Sequence, residues 1–286
     1  MNQTPRVAVV TVSYDSGEFL ERFAASIAAS SAEPLSLVVV DNGSTDGAPE
    51  RLRDARPEAS VLMLSENKGY GGAVNAACVG LGPEIDWILV ANPDVELGRG
   101  SVDELLDELD RHDDVAAVGP HIADAAGRTY PSARRFPSFT DGIGHALLVR
   151  IWPGNPWSRH YLQTSTAVEP RDVDWLSGAC ILLRRSAFDE VGGFDERYFM
   201  YFEDVDLCFR LGQAGWRRRY RPSSEIMHVG AHSTTTRQAA MVRAHHESAA
   251  RFVATRYPGP LWAPVRGLVR VGLRVRAALG TRAGRG

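Results

Sequence analysis

The chain has 286 residues, 44% hydrophobic and 23% charged, with a formal net charge of −3. This is ordinary for one large globular domain with or without an appendage, and the acidic balance excludes a general nucleic-acid binder. The three cysteines, Cys78, Cys180 and Cys208, lie far apart and form no metal or redox motif.

Met1 to Arg6 is polar and lacks the apolar core of a signal peptide. Arg6 to Tyr14 is β-branched and apolar and predicts a buried strand. Glu18 to Ala29 predicts a helix with Phe19, Phe23 and Ile27 on one face. Leu35–Val40, Val61–Leu64, Trp87–Val90 and Val115–Val118 predict further strands. Asp46–Arg56, Gly72–Val79 and Val102–Arg111 predict the helices between them. Apolar strands alternating with helices imply an α/β fold, a mostly parallel sheet covered on both faces, with ligands at the carboxyl strand ends. Tyr130 to Tyr161, rich in Pro, Gly, Arg and aromatics, reads as an excursion over the active site, and its apolar stretch Ile143–Trp152 as a core helix or a membrane contact. Val173–Leu183 predicts one strand, Glu203–Ala214 a helix, and Arg217–Tyr220 and Ile226–Val229 two short strands. Gln238–Tyr257 and Val265–Leu279 predict helices. After Glu247 no acidic residue occurs, whereas eight arginines follow, from Arg251 to Arg285. No apolar run reaches the ~20 residues of a membrane span. The expected location is therefore cytoplasmic, with the basic tail on an anionic membrane surface.

Each early strand runs into a polar cluster: Ser13-Tyr14-Asp15, then Asp41 to Asp46, then Glu66 to Gly72, then Asn92-Pro93-Asp94. Any one alone is explained as a helix-capping turn, but all should open on one sheet edge. Their ordered set, continued by W-L-S-G-A and by G-G-F-D-E-R-Y-F-M-Y-F-E-D-V-D-L, resembles the family-two inverting glycosyltransferases of GT-A fold over roughly Val7 to Ser233. N-P-D, N-K-G-Y-G-G and F-x-E-D-x-D-L are most similar to the rhamnosyltransferase branch. Length and basic tail resemble its bacterial members that use dTDP-rhamnose and a polyprenyl-diphosphate-linked N-acetylglucosamine in cell-wall or polysaccharide assembly.

That resemblance implies a catalytic domain over 1–257, with a nucleotide-binding half to about 120 and an acceptor half beyond, and a basic tail over 258–286. Asp41 would accept the ring N–H of uracil or thymine, beside the backbone of Val12, Ser13 and Tyr14. Gly69 and Gly71 would let backbone approach the nucleotide, and Asn67 and Asn75 would either bind it or fix turns. Ser44 and Asp46 would cap the following helix. Asp94 would hold Mg²⁺ or Mn²⁺ against the donor diphosphate. Many relatives have D-x-D where this chain has Asn92, whose amide can ligate or hydrogen-bond. His228 would assist the metal, with His232 as competitor. Asp204 would be the base that deprotonates the acceptor hydroxyl, and Glu203, Trp175, Ser177 and Gly178 would contact sugar or acceptor.

Three other readings stay open. A UDP-hexose or UDP-galactofuranose donor fits the same motifs. A nucleotidyltransferase shares the wound core but needs a basic glycine-rich phosphate loop, which Gly17 alone does not supply. A noncatalytic nucleotide-sugar binder would not need Asp94, Asp204 and His228 together.

Overall fold

A computed structural model describes residues 4–136, 169–229 and 238–283, with the side chains of 238–240 and 274–283 outside the description. The Ile143–Trp152 stretch and His232 lie outside the described residues. In chain order the first half runs β1 (Val7–Ser13), α1 (Glu18–Ser30), β2 (Leu35–Asp41), α2 (Ala48–Ala55), β3 (Ser60–Met63), α3 (Gly69–Val79), β4 (Trp87–Ala91), β5 (Val95–Leu97), α4 (Ser101–Asp110) and β6 (Val115–Asp124). Then come β7 (Thr129–Tyr130), β8 (Ala133–Arg134), β9 (Arg171–Asp172), β10 (Trp175–Leu176), β11 (Cys180–Arg184), α5 (Arg185–Glu190), α6 (Glu203–Gln213), β12 (Arg217–His228), α7 (Gln238–Arg256) and α8 (Ala263–Ala283).

The main sheet follows the order β3-β2-β1-β4-β11-β6-β12-β5, with β7 on β6 and β9 on β12; β8 and β10 form a separate ribbon. Val7–Ser13 and Trp87–Ala91 are buried at every residue, as central strands covered on both faces must be. One apolar layer packs Leu20, Phe23, Leu52, Leu105 and Leu109 on one sheet face. The other packs Val74, Ala77, Phe188, Phe194, Leu207 and Leu211 on the opposite face.

Two expectations need correction. The continuous strand expected over Val173–Leu183 is broken at Ser177–Ala179. Leu176 pairs with Ala133 in the small ribbon, whereas Cys180–Arg184 runs antiparallel between β4 and β6. The chain changes sheets there, and the Ser177 N–H donates to the Ser132 carbonyl at 2.8 Å. Conversely, the two short strands expected near Arg217 and Ile226 are one strand, β12, with an irregularity between Arg221 and Glu225. Pro222 has no N–H for a ladder, so a bulge there is the natural solution.

The mixed sheet still collects the strand ends. β1, β2, β3 and β4 are mutually parallel, and β12 is parallel to β6. β11 runs the other way, so its first residue, Cys180, pairs with the last residue of β4, Ala91. The turn before β11 therefore opens on the same edge as the ends of β1, β2, β4 and β12.

Candidate active site

At the strand ends, Ser13 and Asp41 are register partners, closing β1 and β2. Pairing of β1 with β4 stops at Val10, leaving the β4-facing backbone of Val12, Ser13 and Tyr14 outside that ladder. The Val12 side chain is core, so only its backbone can serve a ligand. Asp41 is 2% exposed, and its carboxylate accepts the Ser44 N–H at 3.0 Å. Asp46 accepts from Gly17 at 2.7 Å and from Ala48 at 3.0 Å, tying together the starts of α1 and α2. The N-cap of α2 is Gly47, which has no side-chain cap bond, so Asp46 braces the helix start from one residue before it rather than capping it. Ser44, expected to cap as well, instead takes the Asp15 N–H on its hydroxyl at 3.0 Å, across to the β1 end.

The glycine-rich loop has a different physical origin from the one its sequence suggests. Gly69 has φ 74°, and a Cβ there would overlap the Phe199 carbonyl, which accepts the Tyr70 N–H at 3.1 Å. A Cβ on Gly71 would sit 2.8 Å from that of Phe194. Both glycines thus admit the chain's own 194–199 segment. Asn75 is occupied by the same segment: its Oδ1 accepts the Phe194 N–H at 2.9 Å and its amide donates to the Phe194 carbonyl at 2.8 Å. A third bond from Asn75 reaches Glu196. Asn75 is a clasp between α3 and the 194–196 segment, a correction to its expected nucleotide contact. Asn67 fixes its turn, accepting the Gly69 N–H at 2.9 Å.

Asp94 follows β4 and His228 ends β12. Pairing of β5 with β12 places His228 opposite Val95. The His228 Nε2 lies 3.1 Å from the Asp94 carboxylate, and the Tyr130 ring stands edge-on to the imidazole at 5.3 Å. Both side chains are partly exposed, at 16% and 25%. Asn92 is half-buried beside them, its N–H donating to the Ala179 carbonyl at 2.9 Å. Among the described residues no group of three His, Cys, Asp or Glu side chains could hold a metal. Two protein ligands nonetheless fit a hard divalent cation whose shell a diphosphate and water complete.

Across the edge, Glu203 and Asp204 begin α6. Asp204 Oδ2 accepts the Gly178 N–H at 2.8 Å and Oδ1 accepts the Val205 N–H at 2.8 Å. Burial raises its pKa, while these N–H groups and Arg134 oppose the rise. Glu203 is also buried, and its Oε2 has no hydrogen-bond partner among the described residues. Burial, and then the Asp204 charge, push its carboxyl up to about 8. Asp206, by contrast, is structural: it takes the Arg210 Nε at 2.7 Å and the Tyr198 hydroxyl at 3.3 Å. The loop into α6 is strained, since Tyr201 and Phe202 both have φ 66°, costing about 1–3 kcal/mol each. Their rings are held against His245 of α7, at 5.4 Å each.

Trp175 donates from its indole to the Arg135 carbonyl at 3.0 Å and carries the Arg134 guanidinium over its ring. Ser177 is buried, and its hydroxyl accepts the Ala179 N–H at 3.3 Å. It builds the turn, while Gly178 faces Asp204. The residue that joins the two sides is Tyr70, which the motif reading passed over. Its hydroxyl donates to the Gly178 carbonyl at 2.8 Å. Burial, then Glu203 and Asp204, and more weakly Asp94, hold its phenol well above the usual range. Asn42 was passed over too: buried, it bridges Gly69 and Lys68 and fixes the glycine-rich loop to β2. A bulky ring among glycines, and an amide directly after Asp41, were the available signals.

The Glu203 shift predicts a stability signature. Its folded pKa lies above the ordinary 4.5. Between 4.5 and about 8 the unfolded chain therefore releases a proton that the folded one keeps, and stability falls as pH rises through that window. Glu203→Gln is expected to raise the melting temperature increasingly across that window and by a constant amount above it. A pH-independent difference in melting scans would contradict it.

The signature of Glycosyl transferase family 2 matches residues 8–192. The chain is 47% identical to the N-acetylglucosaminyl-diphospho-decaprenol L-rhamnosyltransferase of Mycobacterium tuberculosis, over 96% of this chain and 93% of that one. It is 31% identical to a rhamnosyltransferase of Escherichia coli (strain K12), over 59% of this chain and 62% of that one. A mannosyltransferase from Pyrobaculum calidifontis, solved in complex with GDP-Man and Mn²⁺, superposes with TM-score 0.59 at 17% identity. The superposition covers 99% of this chain and 76% of that one, a likeness of GT-A-type fold. The strand-end site lies largely within the matched segment, and the chain belongs to glycosyl transferase family 2, as a glycosyltransferase.

Proposed function

We propose that the chain moves L-rhamnose from dTDP-rhamnose to a hydroxyl of polyprenyl-diphosphate-linked N-acetylglucosamine, with inversion, in cell-wall or polysaccharide assembly. The observation that carries the reaction type is the single sheet edge bearing Asp94–His228 on one side and Asp204 on the other, both within electrostatic reach of Tyr70. The sugar and acceptor rest on similarity to the mycobacterial enzyme. Asp41 and the Val12–Tyr14 backbone receive the pyrimidine. Asp204, oriented by the Gly178 and Val205 N–H groups, takes the proton of the attacking hydroxyl. Glu203, protonated near neutrality, donates a hydrogen bond to the acceptor sugar. Asp94 and His228 would hold a divalent cation, which when bound neutralises charge growing on the leaving diphosphate. Mass analysis of products from dTDP-rhamnose and lipid-diphosphate acceptors tests this. One added deoxyhexose is expected; transfer only from a UDP-sugar would overturn the donor assignment and keep the reaction class.

The tail, residues 258–286, completes the proposal as a peripheral membrane contact at the inner face. No helix among the described residues is long and apolar enough to cross a membrane. In α8, Val265 and Val269 are half-buried, so they do not form an outward apolar face. Arg266 donates to the Tyr257 and Gly259 carbonyls at 2.7 Å each, so it caps a turn rather than facing lipid. Among the described residues of the tail the large exposed apolar side chains are Leu261, Trp262, Leu268 and Val271, with Arg270 also exposed. The side chains of Arg274 and Val275 lie outside the description. Anionic vesicles should float the whole protein but not one ending after Tyr257, and salt should release it. Equal flotation of both would remove the tail from this role.

A further inference from the structure

A cavity of about 410 Å³ lies between α7 and the 197–199 loop, lined by Arg197, Phe199, Arg243, Glu247, Ser248 and Arg251. It is built into the fold: the Ser248 hydroxyl donates to the Met200 carbonyl at 2.9 Å, and Arg251 stacks on Tyr198. Arg197 is neutralised by Asp195 at 2.6 Å. Arg243, Glu247 and Arg251 follow at helical spacing on one face of α7. Among the described residues no ion pair engages Arg243 or Arg251. Phe199, which is 50% exposed, adds an apolar wall. The same loop continues through Tyr201 and Phe202 into Glu203 and Asp204, so one short chain segment connects the cavity lining to the proposed base.

We propose that this cavity binds the diphosphate of the lipid-linked acceptor, with Arg243 and Arg251 as its guanidinium forks and Phe199 beside the first carbons of the lipid. The assignment rests on the acceptor class proposed above. A guanidinium pairs with phosphate oxygens through parallel N–H donors, which suits a diphosphate better than a neutral headgroup. Glu247 between the two arginines weakens the site, and removing its charge therefore strengthens it.

The test uses the full chain and three variants: R243Q, R243Q/R251Q and E247Q. The acceptors are N-acetylglucosaminyl diphosphate on a short prenol and octyl N-acetylglucosaminide, which has no diphosphate. KM for the diphosphate acceptor should rise about tenfold per arginine removed and fall in E247Q, with KM for the octyl glycoside and for the donor unchanged. An equal rise for both acceptors, or no rise for either, overturns the proposal. Geranyl diphosphate binding, measured by calorimetry without divalent metal, separates this site from the transfer reading. If no acceptor is turned over, weaker binding by R243Q/R251Q than by wild type still supports the site, and equal binding overturns it. Phosphatidylglycerol vesicles distinguish the other source of phosphate: loss of vesicle binding with unchanged KM would make the arginines a membrane contact and overturn it too.

Discussion

Asp204→Asn is expected to lower sugar transfer by roughly 100- to 10,000-fold, the usual cost of a lost general base, while leaving binding of the donor nucleotide unchanged. The amide oxygen can still accept an N–H from Gly178 or Val205, but it cannot take a proton from an attacking hydroxyl. The variant should therefore fold, and its melting curve provides the control. Removing the Asp204 charge also removes the second of the influences that raise Glu203, so any residual activity should show an altered pH profile. Near-normal turnover by a folded Asp204→Asn protein would take Asp204 out of the role and direct attention to Glu203.

The other large effect is expected at Asp94. Activity should vanish in excess chelator and return with Mg²⁺ or Mn²⁺. Asp94→Ala should reduce transfer on the order of 100-fold or more, since charge stabilisation by a metal is worth several kcal/mol. The informative readout is binding. The substitution should weaken metal-dependent binding of the nucleoside diphosphate far more than binding of the free nucleoside, because only the diphosphate shares the cation. It also leaves His228 without its carboxylate partner at 3.1 Å, so His228→Ala should give a similar but smaller loss. Full activity in chelator would exclude a metal-dependent reaction whatever the motif resembles.

The parts of this protein that the sequence announces are those whose causes are local. β1, β2 and β4 are largely apolar runs, and their ends carry the polar clusters, so Asp41, Asp94 and the opening of the edge were legible. So was the start of α6, where acidic residues meet a helix N-terminus. What stayed hidden depends on partners far away in the chain. Nothing near Asn75 announces that Phe194 will occupy both ends of its amide, and nothing near Gly69 announces the Phe199 carbonyl. Within Val173–Leu183 the pair Ser177-Gly178 is a local turn signal, but the partners that receive the turn, Ser132 and Asp204, lie far away in the chain. In the tail, periodicity marked a basic helix, but only the turn preceding it shows that Arg266 is already committed to two carbonyls.

The strand order also bears on how the chain is made. β4 and β6 are close in sequence, yet β11 lies between them in the sheet, and β12 lies between β6 and β5. When the first 130 or so residues have left the ribosome, β4 has β1 on one side and an open hydrogen-bonding edge on the other. That edge waits for Cys180–Arg184, and β5 waits for the end of β12. An unpaired interior edge invites association with other chains, and non-local pairing of this kind is slow. Newly synthesised protein is thus most vulnerable to aggregation before residue 228 emerges, and fragments ending in the first half should accumulate as insoluble material rather than as a small nucleotide-binding domain.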